Sequence, residues 1–372
     1  MIPRRAFLPL LAAIRLTRAA PQDKGPAAAG SHPALPNNAP GIVKDTRLLL
    51  GGDVMLTRYV GRLARDRNDP AWPFRILAPV LAAADIAFVN LESPFSDRGS
   101  PTEKGMVFRA APQMIAGLEL AGIDVVSLAN NHVRDGDAYG VEFTRAWLAL
   151  HHIAAVGTGK TPQEAHAGAV LTRNGVRFGF LAYTYDQNNG NRTDVDDRIA
   201  MLDIGRMRQD VANMLTRADV VIVSMHAGLE YSPRPNAQQI EFAHAAIDAG
   251  ALVVAGHHPH VVQPWERRGA GVIFYSLGNL VFDQFQRDET QRGILGEVVF
   301  SGNKLLRAGT IPIDIVSTAP RLAPRISSAG PSSAGEPSGG NSSAPRSPQG
   351  QPPAVNPPAP SGAGAGAPPP GR

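Results

Sequence analysis

Short apolar runs recur along the middle of the chain, at 47–52, 86–89, 125–128, 176–183, 220–224, 252–255 and 272–276. Each is of strand length and most are rich in β-branched residues, so they predict strands. Between several of them the apolar residues fall at helical spacing, over 112–121, 140–150 and 237–249. Gly122 and Gly250 follow two of these stretches, where a helix is expected to stop. Strands alternating with helices predict an α/β domain, and no internal repeat is visible.

The polar residues that follow the apolar runs are chemically alike. Asp53 follows the first, Asn90-Leu91-Glu92 the second and Asn130-Asn131-His132 the third. Ser224-Met225-His226, Gly256-His257-His258-Pro259-His260 and Gly278-Asn279 follow later ones. In open α/β sheets ligands bind beyond the carboxyl ends of strands, so these motifs are expected to converge on one edge. Singly each has a plain structural reading. Asp53 after Gly51-Gly52 can cap a turn, Glu92 can cap the next element, Asn131 can sit in a turn, and His226 can be a hydrogen-bonded core histidine. Three imidazoles in four residues, fixed by Pro259, are harder to explain structurally. In an extended chain His258 and His260 are expected on the same face.

Carboxylates and neutral imidazoles suit Zn, Mn or Fe. An Asp, a Glu, an Asn and three His suffice for one or two divalent metal ions, a pair standing about 3.5–4 Å apart with a carboxylate between them. His132, beside Asn131, is then available as a general acid or to polarise a substrate. The chain has no Cys, which excludes disulfides, thiol catalysis and thiolate metal sites.

The formal net charge is +4, from 36 basic and 32 acidic residues. The basic residues are mostly scattered Arg, without the basic run and interleaved aromatics that track nucleic acid, so no nucleic-acid partner is expected. Arg58, Arg109 and Arg134 lie near the motifs, where a guanidinium can hold carboxylates. His151, His152, His166, His244 and His32 read as structural or surface residues.

The two ends have a different composition. Residues 1–20 carry Arg4-Arg5 before a short apolar core and small residues Ala19 and Ala20, the pattern of an export signal with a twin-arginine likeness, although Arg15 and Arg18 interrupt it. Residues 21–42 read as a linker. Residues 319–372 are dominated by Pro, Gly, Ser and Ala and are expected to form a disordered tail, because so little apolar surface cannot offset the entropy of ordering. The folded domain is thus expected over 43–318.

The motifs Gly52-Asp53-Val54-Met55, Asn90-Leu91-Glu92-Ser93-Pro94, Ser127-Leu128-Ala129-Asn130-Asn131-His132, Gly256-His257-His258-Pro259-His260 and Tyr275-Ser276-Leu277-Gly278-Asn279 occur in the order seen in CapA-type poly-γ-glutamate capsule synthesis proteins. Phe108-Arg109-Ala110-Ala111-Pro112 and His226-Ala227-Gly228-Leu229-Glu230-Tyr231 resemble that family too, and the likeness spans about 46–300. The resemblance implies a layered α/β/β/α sandwich similar to calcineurin-like metallophosphoesterases. It makes Asp53 the first-strand metal ligand, Glu92 a bridging carboxylate, and Asn131 a ligand of a second metal. It makes His226, His258 and His260 the remaining ligands and His132 the catalytic histidine. Arg109, His257 and Asn279 are then candidates for holding substrate. The phosphoesterase pattern Asp-x-His becomes Asp53-Val54-Met55 here, which removes one imidazole and leaves the metal count open unless His257 compensates.

The resemblance further implies a role in poly-γ-glutamate capsule biosynthesis, release or transport, at the periplasm, cell surface or membrane. The expected activity is a metal-dependent hydrolase acting on an anionic polymer, in contact with a membrane-bound synthesis complex. Two alternatives stand beside it, a non-catalytic polymer-binding or assembly subunit and a general metallophosphoesterase.

Overall fold

The computed structural model describes residues 44–100, 104–184 and 197–324. The expected export signal, the linker, His32 and all but the first six residues of the expected tail lie outside them. In chain order the strands are β1 (Asp45–Val54), β2 (Ile86–Leu91), β3 (Val125–Ser127), β4 (Ala154–Val156), β5 (Ala169–Arg173), β6 (Val176–Thr184) and β7 (Val220–His226). They continue as β8 (Val253–His257), β9 (Trp265–Arg268), β10 (Gly271–Phe274), β11 (Asn279–Val281), β12 (Arg292–Ser301), β13 (Lys304–Val316) and β14 (Ala319–Leu322). The α-helices are α1 (Arg58–Asp66), α2 (Ala78–Leu81), α3 (Ile115–Leu120), α4 (Asp137–Leu150), α5 (Pro162–Ala167), α6 (Ile204–Leu215) and α7 (Ala237–Asp248). Each apolar run read from the sequence forms a strand, and each helical stretch contains a helix.

Two sheets stack face to face. One has the order β14-β13-β12-β1-β2-β3-β4, with β11 paired to β1; the other runs β5-β6-β7-β8-β10-β9. The strands β1 to β4 are mutually parallel, as are β6, β7, β8 and β10, while β12 to β14 form an antiparallel extension. The runs are continuously apolar because both faces of each central strand are buried. On β1, Leu48 and Leu50 face the opposing sheet while Leu49 faces the helices; on β7, Ile222 faces inward while Val221 and Val223 face outward. The inter-sheet layer is filled by aromatic rings, with Phe88 stacked on Phe180 at 6.0 Å and Phe178 edge-on to Phe300 at 5.4 Å. Outside one sheet pack Phe74, Leu77, Leu118 and Leu148 with α2, α3 and α4; outside the other pack Met207, Val211, Phe242 and Ala246 of α6 and α7. The result is the expected α/β/β/α sandwich.

One boundary is corrected. Residues 319–322, expected at the start of the disordered tail, form β14 on β13, with Ala319 and Pro320 buried. Proline is tolerated there because β14 is an edge strand, where a missing N–H costs no ladder bond on the open side.

Candidate metal centre

The parallel strands end together. Asp53 lies at the end of β1, in register with Asn90 on β2 and Asn279 on β11; His226 and His257 are paired at the ends of β7 and β8. Gly52 permits this, since a Cβ there would lie 1.9 Å from the Gly278 carbonyl oxygen. That carbonyl instead accepts a hydrogen bond from the Asp53 amide at 3.0 Å. Glu92 follows β2, its amide donating to the Val54 carbonyl at 2.8 Å.

Two clusters of ligand atoms form at this edge. Asp53, Glu92 and His260 make one; Glu92, His226 and His258 make the other; in each the ligand atoms lie within 4.8 Å of one another. Glu92 is common to both. Asn131 extends the second cluster, its Oδ1 2.9 Å from His226 Nε2. Asp53, Glu92 and His226 have no solvent exposure.

The residues fit a cation. Both Glu92 carboxylate oxygens are buried and have no hydrogen-bond partner. A buried carboxylate in that state costs several kcal/mol unless a positive charge meets it. Burial, and secondarily the Asp53 charge, push Glu92 well above the ordinary carboxylate range against the opposing pull of His260. Burial also raises Asp53, but the ring nitrogens of His257 and His260, at 3.5 and 3.3 Å, outweigh it and hold Asp53 well below its usual value. Burial depresses His226 well below its usual value and depresses His258 to about 3, so both imidazoles are neutral, as metal ligands must be. His260 is pushed the other way, to about 9, because Glu92 and Asp53 outweigh its burial. That position attracts positive charge.

The imidazole pair corrects one expectation. The chain between His258 and His260 is not extended; both residues are in the left-handed region, at φ 95° and 58°. The turn sends the two rings to different clusters, 6.1 Å apart between centroids. Such backbone costs on the order of 1–3 kcal/mol per non-glycine residue. It is held by the His258 amide donating to Asp53 Oδ2 at 3.2 Å and by the Tyr231 amide donating to the Pro259 carbonyl at 2.8 Å.

His132 stands above the clusters on a cleft of about 190 Å3 that His260, Arg58, Phe108, Glu230 and Arg287 also line. Its Nδ1 lies 2.7 Å from Asp135 Oδ2, and its ring stacks on Phe108 at 3.8 Å. A carboxylate can only accept, so Nδ1 carries the proton and Nε2 is the basic nitrogen. The Arg58 guanidinium lies 4.7 Å from the Phe108 ring centre and pairs with Asp283.

The three substrate-holding candidates are placed differently from expectation. Arg109 turns to the Ser100 carbonyl, 3.1 Å from its Nη2, and does not line the cleft; Arg58 does. Arg134 does not line it either. His257 is fully buried, its Nδ1 3.5 Å from Asp53 and its ring 6.1 Å from that of Phe88, and it does not line the cleft. Met55, standing where the phosphoesterase pattern has an imidazole, is buried, its sulfur accepting from the Thr57 amide. Asn279 is buried too: its Oδ1 lies 3.0 Å from His260 Nδ1, and its amide donates to Gln284 and to the Thr290 carbonyl. It contacts His260 and does not line the cleft. Of the other described histidines, His151 meets Glu119, His166 meets Asp210 and His244 meets Glu266, while His152 sits at a helix end.

Asn90, Asn130 and Asp135 complete the centre, although the sequence motifs assign them no role. Asn90 donates to Asp53 Oδ1 at 2.8 Å. Asn130 donates to the Leu91 carbonyl at 2.9 Å and accepts from the His132 amide. Asn90 and Asn130 are visible inside their motifs; Asp135 is signalled only by its place three residues after His132.

The chain matches the family described as bacterial capsule synthesis protein PGA_cap over residues 47–284. The PGA biosynthesis protein CapA of Bacillus subtilis (strain 168) is 30% identical over 273 residues, covering 72% of this chain and 71% of that protein. The capsule biosynthesis protein CapA of Bacillus anthracis is 28% identical over 282 residues, covering 73% and 67%. Among solved structures, a 5'-nucleotidase precursor from Thermus thermophilus aligns with a TM-score of 0.45 at 12% identity, over 75% of this chain and 54% of that one.

Proposed function

This chain belongs to the bacterial capsule synthesis family PGA_cap, and from that membership we propose that it acts in poly-γ-glutamate capsule synthesis as a metal-dependent hydrolase on an anionic polymer. The observation that carries the catalytic part is Glu92, a buried carboxylate without a hydrogen bond, shared by two clusters of ligands. Asp53, Glu92 and His260 would hold one divalent ion, and Glu92, His226, His258 and Asn131 a second. Ions bound there supply Lewis acidity toward a carbonyl or phosphoryl oxygen and stabilise the charge developing on it.

The protein's own groups do the rest. Asp135 fixes the His132 tautomer, so that Nε2 can take a proton from an attacking water or, once protonated, give it to a leaving amine or alkoxide. Phe108 covers one face of the imidazole and keeps the ring from turning. Arg58, held by Asp283 and the Gly105 carbonyl, adds positive charge to the same cleft, which favours an anionic substrate. Burial of the ligands excludes bulk water and strengthens each of these interactions. The apolar segment after Arg4-Arg5 supports export. A membrane-bound synthesis complex is the partner proposed on the same family basis.

The test is to purify the full chain, measure bound metal, and assay cleavage of poly-γ-glutamate and of a generic phosphodiester. Metal with polymer cleavage that His132→Ala abolishes supports the proposal. Polymer binding without turnover, unchanged in His132→Ala, would make the protein a binding or assembly subunit. Phosphodiester cleavage alone would make it a general phosphoesterase.

A further inference from the structure

A second hollow, of about 320 Å3, opens beside the metal cleft. Pro233, Val261 and Val262 line it, and Arg287 and Arg292 stand on its sides. Tyr231 and Arg287 line both hollows, which makes them neighbours along one groove. The Arg287 guanidinium carbon lies 4.9 Å from the centre of the Tyr231 ring. Arg287 and Arg292 are both exposed. Among the described residues neither is in a salt bridge, although Glu289 also lines the hollow.

The segment carrying Arg287 is tied to the metal centre. Thr290 Oγ1 lies 2.7 and 2.8 Å from the carbonyls of Gln284 and Arg287, which share its one proton. The Thr290 carbonyl accepts from Asn279, the same side chain that meets His260. The backbone that carries Arg287 is therefore tied to the metal centre, and Arg292 follows it at the start of β12.

We propose that this hollow binds the part of the substrate adjoining the reacting bond, and that the ligand is an extended chain bearing carboxylates at short aliphatic intervals. The apolar residues suit the methylene spacers, and Arg287 and Arg292 suit successive carboxylates. This deepens the polymer reading above and rests on it.

The experiment uses the full chain and a short fluorescent γ-linked glutamate oligomer, with binding followed by anisotropy. Arg287→Ala combined with Arg292→Ala is expected to weaken binding about tenfold, the range for two rim-exposed charge-assisted contacts. Lys304→Ala, which removes a charge at the opposite end of the sandwich, leaves affinity unchanged. The double variant keeps the wild-type melting temperature and metal content. An unchanged affinity in the double variant, an equal loss in Lys304→Ala, or no binding by the wild-type protein overturns the proposal. Metal content separates the two readings: a protein without metal that still binds the oligomer through Arg287 and Arg292 keeps this inference and loses the catalytic one.

Discussion

Replacing Glu92 by Gln should change stability in opposite directions with and without metal. In chelator, the wild-type carboxyl is buried with no hydrogen bond and its protonated form is favoured by burial. The folded state then binds more protons at this site than the unfolded state does. Stability therefore falls as pH rises above the ordinary carboxylate value, by about 1.4 kcal/mol per pH unit until the raised value is passed. Gln has nearly the same shape and no charge, so it escapes that penalty. With metal the order reverses: wild-type protein gains about 4 kcal/mol at a thousandfold excess over Kd, while the variant has lost the carboxylate common to both clusters. Thermal melts of both proteins, in chelator and in excess metal at pH 5 and pH 8, read this directly, at about 2–4 °C per kcal/mol for a domain of this size. In chelator Glu92→Gln melts higher, more so at pH 8; in metal it melts lower. A variant that melts below wild type in chelator at pH 8, or that binds as much metal as wild type, would refute the reasoning.

Other outcomes follow from the same geometry. His226→Ala should lose one equivalent of metal and retain the cluster of Asp53, Glu92 and His260, measured by elemental analysis. Asp135→Asn should keep the metal but lower turnover about 10²–10⁴-fold, because His132 loses the group that fixes its tautomer. Gly52→Ala drives a methyl group to 1.9 Å from the Gly278 carbonyl oxygen and should cost about 3 kcal/mol or more (the scale of the larger core defects), seen as loss of soluble protein or a lowered melting temperature.

Much of the candidate centre is legible in the sequence because its polar residues follow strands that are themselves plain in the hydrophobic pattern. Asp53, Glu92 and His226 need only that rule, since parallel strands deliver their carboxyl ends to one edge. His258 and His260 read as ligands, but their separation onto two clusters does not. That depends on left-handed backbone at two non-glycine residues, which tertiary contacts impose and local sequence does not announce. His257 is misplaced for a related reason: adjacency in sequence says nothing of whether a ring faces the cleft or is buried beside Asp53. Arg58 outranks Arg109 at the cleft because α1 and the Asp283 carboxylate aim it there, a contact across more than half the folded chain. The hairpin of β12 and β13 and the edge strand β14 alternate less cleanly, since β13 has many half-exposed positions. Their pattern therefore fades before the composition of the tail takes over.

Anomalous diffraction from crystals grown with Mn or Zn tests the central claim most directly. Two peaks are predicted, one among Asp53, Glu92 and His260 and one among Glu92, His226 and His258, with Glu92 touching both and ligand distances of about 2.0–2.3 Å. Crystals in which Glu92 lies against water or a side chain of the protein, with no anomalous signal at either cluster, would contradict it.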